Sequence, residues 1–265
     1  MRKILTLCIV AILFAGCSIT NAPNSLPVFY SSPIASNDIS YLPKPLSTDS
    51  SKTQNYLSTS FASSSLPLEI GTFTMGYLNY NRSHTFKNFN IAYGAFGFYG
   101  GTDDDGYNNA IRPLDKNFSG KEFFGGGLRS SIGVFETSGN TEFRILNWES
   151  TISFEGGSYA SLRKTLRNDS EPLSIGSDKT VLFTTGGSTE IIWRGSKNTN
   201  RNYGFRLFVG ATTGLKQNIN YTDNKLSGLA TDFSFFLKIK RAYGVFSQGS
   251  NLRQYGGKIT LGYSL

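Results

Sequence analysis

The stretch QYGGKITLGYSL, residues 254–265, decides the fold. Tyr255, Ile259, Leu261, Tyr263 and Leu265 alternate in it with Gln254, Gly256, Lys258, Thr260, Gly262 and Ser264. A period of two marks a β-strand, whose successive side chains point to opposite faces. One face is oily and aromatic. The other is small and hydroxylated and carries one charge. A soluble β-sandwich also alternates, but its wet face ordinarily carries abundant Lys, Glu and Thr. A face of Gly, Ser and Thr with isolated charges suits the narrow interior of a closed barrel, with lipid around its apolar exterior.

The same grammar recurs upstream. Phe89, Ile91, Tyr93, Ala95 and Tyr99 share one face of segment 87–99, and Phe124, Leu128, Ile132 and Val134 share one face of 121–135. Leu146, Trp148, Ile152 and Phe154 do so in 142–155, and Val181, Phe183, Ile191 and Trp193 in 179–194. Two further alternating runs carry Phe205, Leu207 and Val209, and Phe233, Phe235, Leu237 and Ile239. Adding 54–64, 70–80 and 242–249 predicts ten strands, most of which meet the roughly 9 to 11 residues needed to cross a bilayer. The connections 65–69, 100–120, 156–178, 216–227 and 250–253 fall on one side, and the shorter 81–86, 136–141, 194–202 and 240–241 on the other. This matches the long outer loops, short periplasmic turns and even strand number of bacterial barrels. The expected fold is therefore an all-β, closed antiparallel transmembrane β-barrel. An eight-stranded version, with 228–249 fused into one strand and 54–64 dropped, is the alternative.

Composition agrees. With 29 glycines, 14% aromatic and 17% charged residues in 265, neither general disorder nor a helical repeat is expected. The net charge of +8 falls to +6 once Arg2 and Lys3 are removed with the leader described next. The remaining charge is spread along the chain, so no nucleic-acid partner is expected.

The chain opens MRKILTLCIVAILFAGC, with Arg2 and Lys3 ahead of an apolar run from Ile4 to Phe14. This is the pattern of a secretory signal, and the run is too short to span a bilayer as a helix. Leu13 to Cys17 resembles the lipobox of bacterial lipoprotein precursors, although Phe14 stands where Leu is more usual. The resemblance implies cleavage after residue 16 and acylation of Cys17, and Ser18 implies sorting to the outer membrane. Cys8 leaves with the leader, so no disulfide or cysteine metal cage is expected. Residues 17–53 carry Pro23, Pro27, Pro33, Pro43 and Pro45 among many Ser and Asn, without periodicity. They read as a lipid-anchored periplasmic tether. The expected organisation is thus a signal peptide (1–16), the tether (17–53) and an outer-membrane barrel (54–265).

The ending from Gly257 to Leu265 resembles the insertion signal of outer-membrane barrels, with Leu265 where Phe is commoner. Together with the lipobox it resembles the lipidated small barrels of Bacteroidota-type bacteria. This implies outer-membrane lipid, the barrel-insertion machinery and other envelope proteins as partners.

Candidate chemistry is sparse. His84 is the single histidine, placed in an Asn81–His84 turn; a Ser-His-Asp hydrolase or lipid deacylase would need it as base, and nothing in the sequence brings it a serine and carboxylate. The GxSxG, HExxH and phosphate-loop patterns are absent. Asp103, Asp104 and Asp105 gather carboxylates without the spacing of a calcium loop. No enzyme activity, metal or cofactor is expected. The informative set is the group of charges on the inward face: Arg129, Glu149, Glu155, Glu190, Arg194, Arg206, Asp232, Lys238 and Lys258. Near balance of acids and bases in a narrow interior implies paired networks that block the lumen. The rival is a narrow channel in which they select polar solutes. Trp148, Trp193 and Tyr263 sit on the outward face as candidate interfacial anchors. The function expected is a structural or accessory envelope subunit, with the channel as alternative.

Overall fold

Alternation with period two lets each strand turn an apolar face outward and a polar one inward, and in the computed structural model these strands close on themselves. The structure describes residues 28–66, 71–104, 118–168, 174–195, 201–213, 228–252 and 254–265. After a three-residue strand β1 (Val28–Tyr30), the barrel strands are β2 (Thr53–Ser65), β3 (Thr72–Thr85), β4 (Phe89–Asp103), β5 (Glu122–Ser138) and β6 (Thr141–Gly156). Helix α1 (Ser158–Asn168) and the short β7 (Ser174–Gly176) follow. The wall resumes with β8 (Val181–Arg194), β9 (Arg201–Thr213), β10 (Leu229–Ile239), β11 (Ala242–Asn251) and β12 (Gln254–Ser264). All ten barrel strands are antiparallel to their neighbours, and the first and last, β2 and β12, pair from Tyr56–Ser264 to Ser65–Tyr255. The ten-stranded expectation holds over the eight-stranded one.

The exterior is a continuous apolar sheet. Phe61, Leu78, Leu128, Trp148, Ile259 and Leu261 each expose more than half of their surface. Large exposed apolar areas of this extent mark contact with lipid or another protein. The two ends differ. At one, β2–β3, β4–β5, β6–β8, β9–β10 and β11–β12 are connected; this loop end carries α1 and β7. At the other, the turn end, lie the shorter connections, the start of β2 and the end of β12.

Three details depart from the elements read in sequence. Strand β3 continues to Thr85, so the Asn81–His84 segment is strand rather than turn; it pairs with Tyr93, Gly94 and Ile91 of β4. A β-bulge in β6 sets Val134 opposite Leu146 but Phe135 opposite Arg144, leaving Ile145 as the extra residue. Ile145 and Leu146 both face outward, which turns Glu142 and Arg144 into the lumen. Helix α1 forms within the expected 156–178 loop because Tyr159, Leu162, Arg163 and Leu166 recur at helical spacing and bury one face against the barrel mouth.

The largest departure concerns the expected periplasmic tether. From Val28 onward it is not outside the barrel. Phe29 to Leu46 are almost all buried, and they run down the lumen from the loop end to the turn end before β2 begins. Where the inward-facing wall residues are small, as at Ser58, Ser60, Ala62, Ser64, Ala92 and Ser131, they leave width between larger inward side chains such as Tyr56, Tyr77, Phe98 and Phe208. The vacant width takes a chain.

Candidate functional site

The lumen and its occupant form the one concentrated array of charged and polar groups among the described residues. The segment enters at the loop end, where β1 pairs in parallel with β7 and Tyr30 packs on Phe118 at 5.9 Å. Tyr159 of α1 donates its hydroxyl to the Ser31 carbonyl at 3.1 Å, and burial holds this phenol well above its ordinary pKa. Ser32 donates to Glu155 at 2.5 Å, and Glu155 is ion-paired with Arg163 of α1. Next come hydrogen bonds from Ser64 to the Pro33 carbonyl and from Asn251 to the Ala35 carbonyl, 3.3 and 3.0 Å.

Here the wall makes room by having no side chain. A Cβ on Gly249 would lie 2.2 Å from the Ser36 carbonyl oxygen, and one on Gly256 would lie 2.4 Å from Asn37 Nδ2. At mid-depth, Lys258 donates to the carbonyls of Asn37 and Ile39, each at 2.9 Å, and Arg129 Nε to that of Asp38 at 2.8 Å. The Asp38 carboxylate accepts from Thr184 at 2.5 Å and from the Ile39 amide at 2.8 Å.

Towards the turn end Tyr41 stacks on Phe236 with ring centres 4.2 Å apart. Lys44 reaches Glu190 at 3.0 Å and Asn147 at 3.3 Å. Arg144 bridges Glu190 at 2.9 Å and Glu142 at 3.0 Å, and also donates to the Lys44 and Pro45 carbonyls. Ser83 and Thr85 cap the Pro43 and Pro45 carbonyls, and the Ser47 amide donates to Glu142 at 2.8 Å. Proline-rich backbone has carbonyls without matching N–H donors. The wall supplies those donors from Arg, Lys, Ser and Thr.

A separate wall cluster sits beside this path. Arg206 grips Glu149 with Nε at 3.0 Å and Nη2 at 2.5 Å, and pairs with Asp232 through Nη1. Ser188 completes Glu149, and Ser234 completes Asp232. Among the described residues the buried set contains six carboxylates (Asp38, Glu142, Glu149, Glu155, Glu190, Asp232) and six cations (Lys44, Arg129, Arg144, Arg163, Arg206, Lys258). A charge taken out of water is strongly penalised unless paired, and this interior is balanced. A crevice between Tyr41, Leu46, Phe236 and Tyr243 encloses about 20 Å³, roughly one water.

Of the charges read from sequence, Arg129, Glu149, Glu155, Glu190, Arg206, Asp232 and Lys258 lie in this interior. Lys238 is half-buried at the turn end, donating to Gln54 at 3.3 Å, and Arg194 is half-exposed at the end of β8. Sequence reasoning missed Asp38 and Lys44, because their segment has no strand period, and Arg163, because it lies on the helix. It missed Glu142 and Arg144 because the bulge breaks the parity count. Trp148 and Tyr263 are exposed on the outer wall; Trp193 is half-exposed beside Tyr203, ring centres 5.6 Å apart.

His84 stands at the rim of the turn end, its Nδ1 2.9 Å from the Thr53 hydroxyl and its Nε2 3.4 Å from that of Tyr93. No carboxylate partners it in these contacts, so the base-and-orienter pair of a hydrolytic triad is not assembled there. Among the described residues no group of three or more His, Cys, Asp or Glu could hold a metal ion. Asp105, Cys17 and the leader lie outside the described residues.

The chain matches no protein-family model and no curated protein. Among solved structures it is similar to the β-domain of the Bordetella autotransporter BrkA (TM-score 0.43, 10% identity), covering 81% of this chain and 100% of that one. An outer-membrane channel from Pseudomonas putida gives a TM-score of 0.41 at 8% identity, covering 85% and 98% of the two chains. The transport unit of the Escherichia coli autotransporter AIDA-I gives 0.38 at 9%, covering 88% and 95%. These are likenesses of barrel architecture, and nothing of those proteins' activities passes to this chain with them.

Proposed function

We propose that this chain is a lipid-anchored outer-membrane β-barrel whose lumen is closed by its own N-terminal segment, and that it acts as a structural or accessory unit of a Gram-negative envelope. The observation that carries the reading is the filled lumen. Residues 29–46 are packed against the inner wall, and the charges around them are paired or spent on backbone carbonyls rather than lining an open path. The apolar outer wall supports residence in lipid, and β12 supports delivery by the barrel-insertion machinery. Without an assembled catalytic constellation, what the protein offers its surroundings is a rigid insert, with the loop end and outer wall free to meet other envelope proteins.

A second reading, a narrow channel for small polar solutes, is favoured by one feature. The mid-depth grip on the segment is largely made by hydrogen bonds from Lys258, Arg129 and Thr184, groups that water or a solute could also satisfy. Planar-bilayer recordings of the full-length protein separate the two. The sealed reading expects silence at moderate voltage and salt, with co-purification of envelope proteins from mild detergent. A sustained current whose ion selectivity changes with Arg129→Gln or Lys258→Gln would overturn it in favour of the channel.

A further inference from the structure

The direction in which the N-terminal segment runs through the barrel has a topological consequence. Its polarity is fixed by successive wall partners. Ser64 and Asn251 near the loop end hold Pro33 and Ala35, Lys258 at mid-depth holds Asn37 and Ile39, and Thr85 and Glu142 near the turn end hold Pro45 and Ser47. Val28–Tyr30 is therefore at the loop end, bonded to β7 beside α1, while the chain leaves for β2 at the turn end.

We propose that the chain is threaded so that acylated Cys17 emerges on the same membrane face as the long loops, and that its lipid is seated in the cell-surface leaflet rather than the periplasmic one. This rests on the proposed outer-membrane and lipoprotein reading, with long loops outward and short turns in the periplasm. Ten residues lie between Cys17 and Val28, and the eleven Cα-to-Cα steps give a reach of at most about 36 to 40 Å. That suffices to descend from the barrel mouth to the adjacent leaflet. To reach the opposite leaflet, the polar run Ser18–Pro27 would have to cross the hydrocarbon outside the barrel. Each backbone group left unpaired there would cost several kcal/mol. The barrel thus serves as the passage by which its own anchor reaches the far side, and the anchor and loops form one lipid-facing surface.

The test uses single-cysteine reporters in the full chain, tagged with a membrane-impermeant polyethylene-glycol maleimide on intact and on lysed cells and read as a gel shift. Asn24→Cys, with Thr20→Cys as a second reporter, reports the N-terminal side; Ser119→Cys reports the loop end and Asn140→Cys the turn end. The expected result is full tagging of Asn24→Cys and Ser119→Cys on intact cells, with Asn140→Cys tagged only after lysis. Protection of both N-terminal reporters on cells in which Ser119→Cys is tagged would overturn the threading, and protection of all but Asn140→Cys would overturn the outward placement. Failure of the underlying reading looks different: the unsubstituted chain would itself be tagged at Cys17 after lysis, or the protein would be recovered without detergent.

Discussion

Replacing Arg206 by Met tests whether the lumen is sealed. The substitution keeps the length and apolar stem of the side chain but removes the guanidinium that holds Glu149 through two hydrogen bonds and Asp232 through a third. All three groups are buried, the arginine completely. In a dry interior, removing one partner strands two carboxylates, and breaking such a buried pair costs about 3–5 kcal/mol. In a lumen open to water the same charges would be screened, and the loss would resemble that of a surface pair, about 0–1 kcal/mol. Urea unfolding of detergent-refolded protein, followed by the heat-modifiable mobility of the folded barrel, reads the difference as a shift in midpoint at constant slope. The triple variant Arg206→Met, Glu149→Gln, Asp232→Asn removes the stranded charges as well and is expected to recover most of the loss. A loss below about 1 kcal/mol for Arg206→Met alone would refute the reasoning, because it would mean that water reaches the network past the plug.

Other consequences follow from particular residues. Gly249→Val sets a Cβ 2.2 Å from the Ser36 carbonyl; it is expected to lift residues 33–37 from their seat, increase their hydrogen exchange, and cost about 1–3 kcal/mol. Deletion of Ile145 removes the extra residue of the bulge yet keeps Glu142, Arg144, Asn147 and Glu149 inward, so the variant should keep wild-type mobility; failure to fold would show that the bulge itself is needed. With Trp193→Phe in place, Trp148 is expected to be quenched by lipids brominated on their acyl chains, since it is 56% exposed on the outer wall, and an unquenched Trp148 would place that wall against protein. His84→Ala should leave folding and membrane recovery unchanged, its contacts being two rim hydroxyls.

The barrel was legible in the sequence because lipid on one side and a narrow polar interior on the other impose period two on every strand. Loop lengths supported the strand number, since antiparallel strands send successive connections to opposite ends and the three long ones, β4–β5, β6–β8 and β9–β10, all fall at the same end. Legibility ended wherever that period was broken or missing. The bulge at Ile145 shifts parity, so a reading carried upstream from Leu146 puts Arg144 on the lipid face, where an unpaired arginine is expensive; that cost was the available signal. Asn81 and Ser83 look like turn residues, but in β3 they face inward, with Ser83 capping the Pro43 carbonyl. Helix α1 shows an apolar pattern at 159, 162 and 166 that is easily lost among strand signals.

The plug had the subtlest signature, because neither the small inward residues nor the proline-rich segment announces it alone. Runs of Ser, Ala and Gly along the inward face of a ten-stranded barrel, as at Ser58, Ser60 and Ala62, leave width that must be filled by water, ligand or chain. The segment before β2 carries Ile34, Ile39, Leu42 and Leu46, each at most 4% exposed once the barrel closes. Fully burying a Leu- or Ile-sized side chain is worth about 1.5–3 kcal/mol, so these four represent about 6–12 kcal/mol, similar to the whole stability of a typical domain, about 5–15 kcal/mol. A plug contributing on that scale is not a loosely seated stopper. It supplies apolar layers at both ends of the lumen, Tyr30 and Ile34 at the loop end and Tyr41 and Leu46 at the turn end, with the contacts of Asp38, Arg129 and Lys258 at mid-depth between them. Any conducting state would have to replace those layers. A solute that opened the path would therefore have to shift part of the segment, as at the Lys258-bound carbonyls, because withdrawing all of it would remove the barrel's own core.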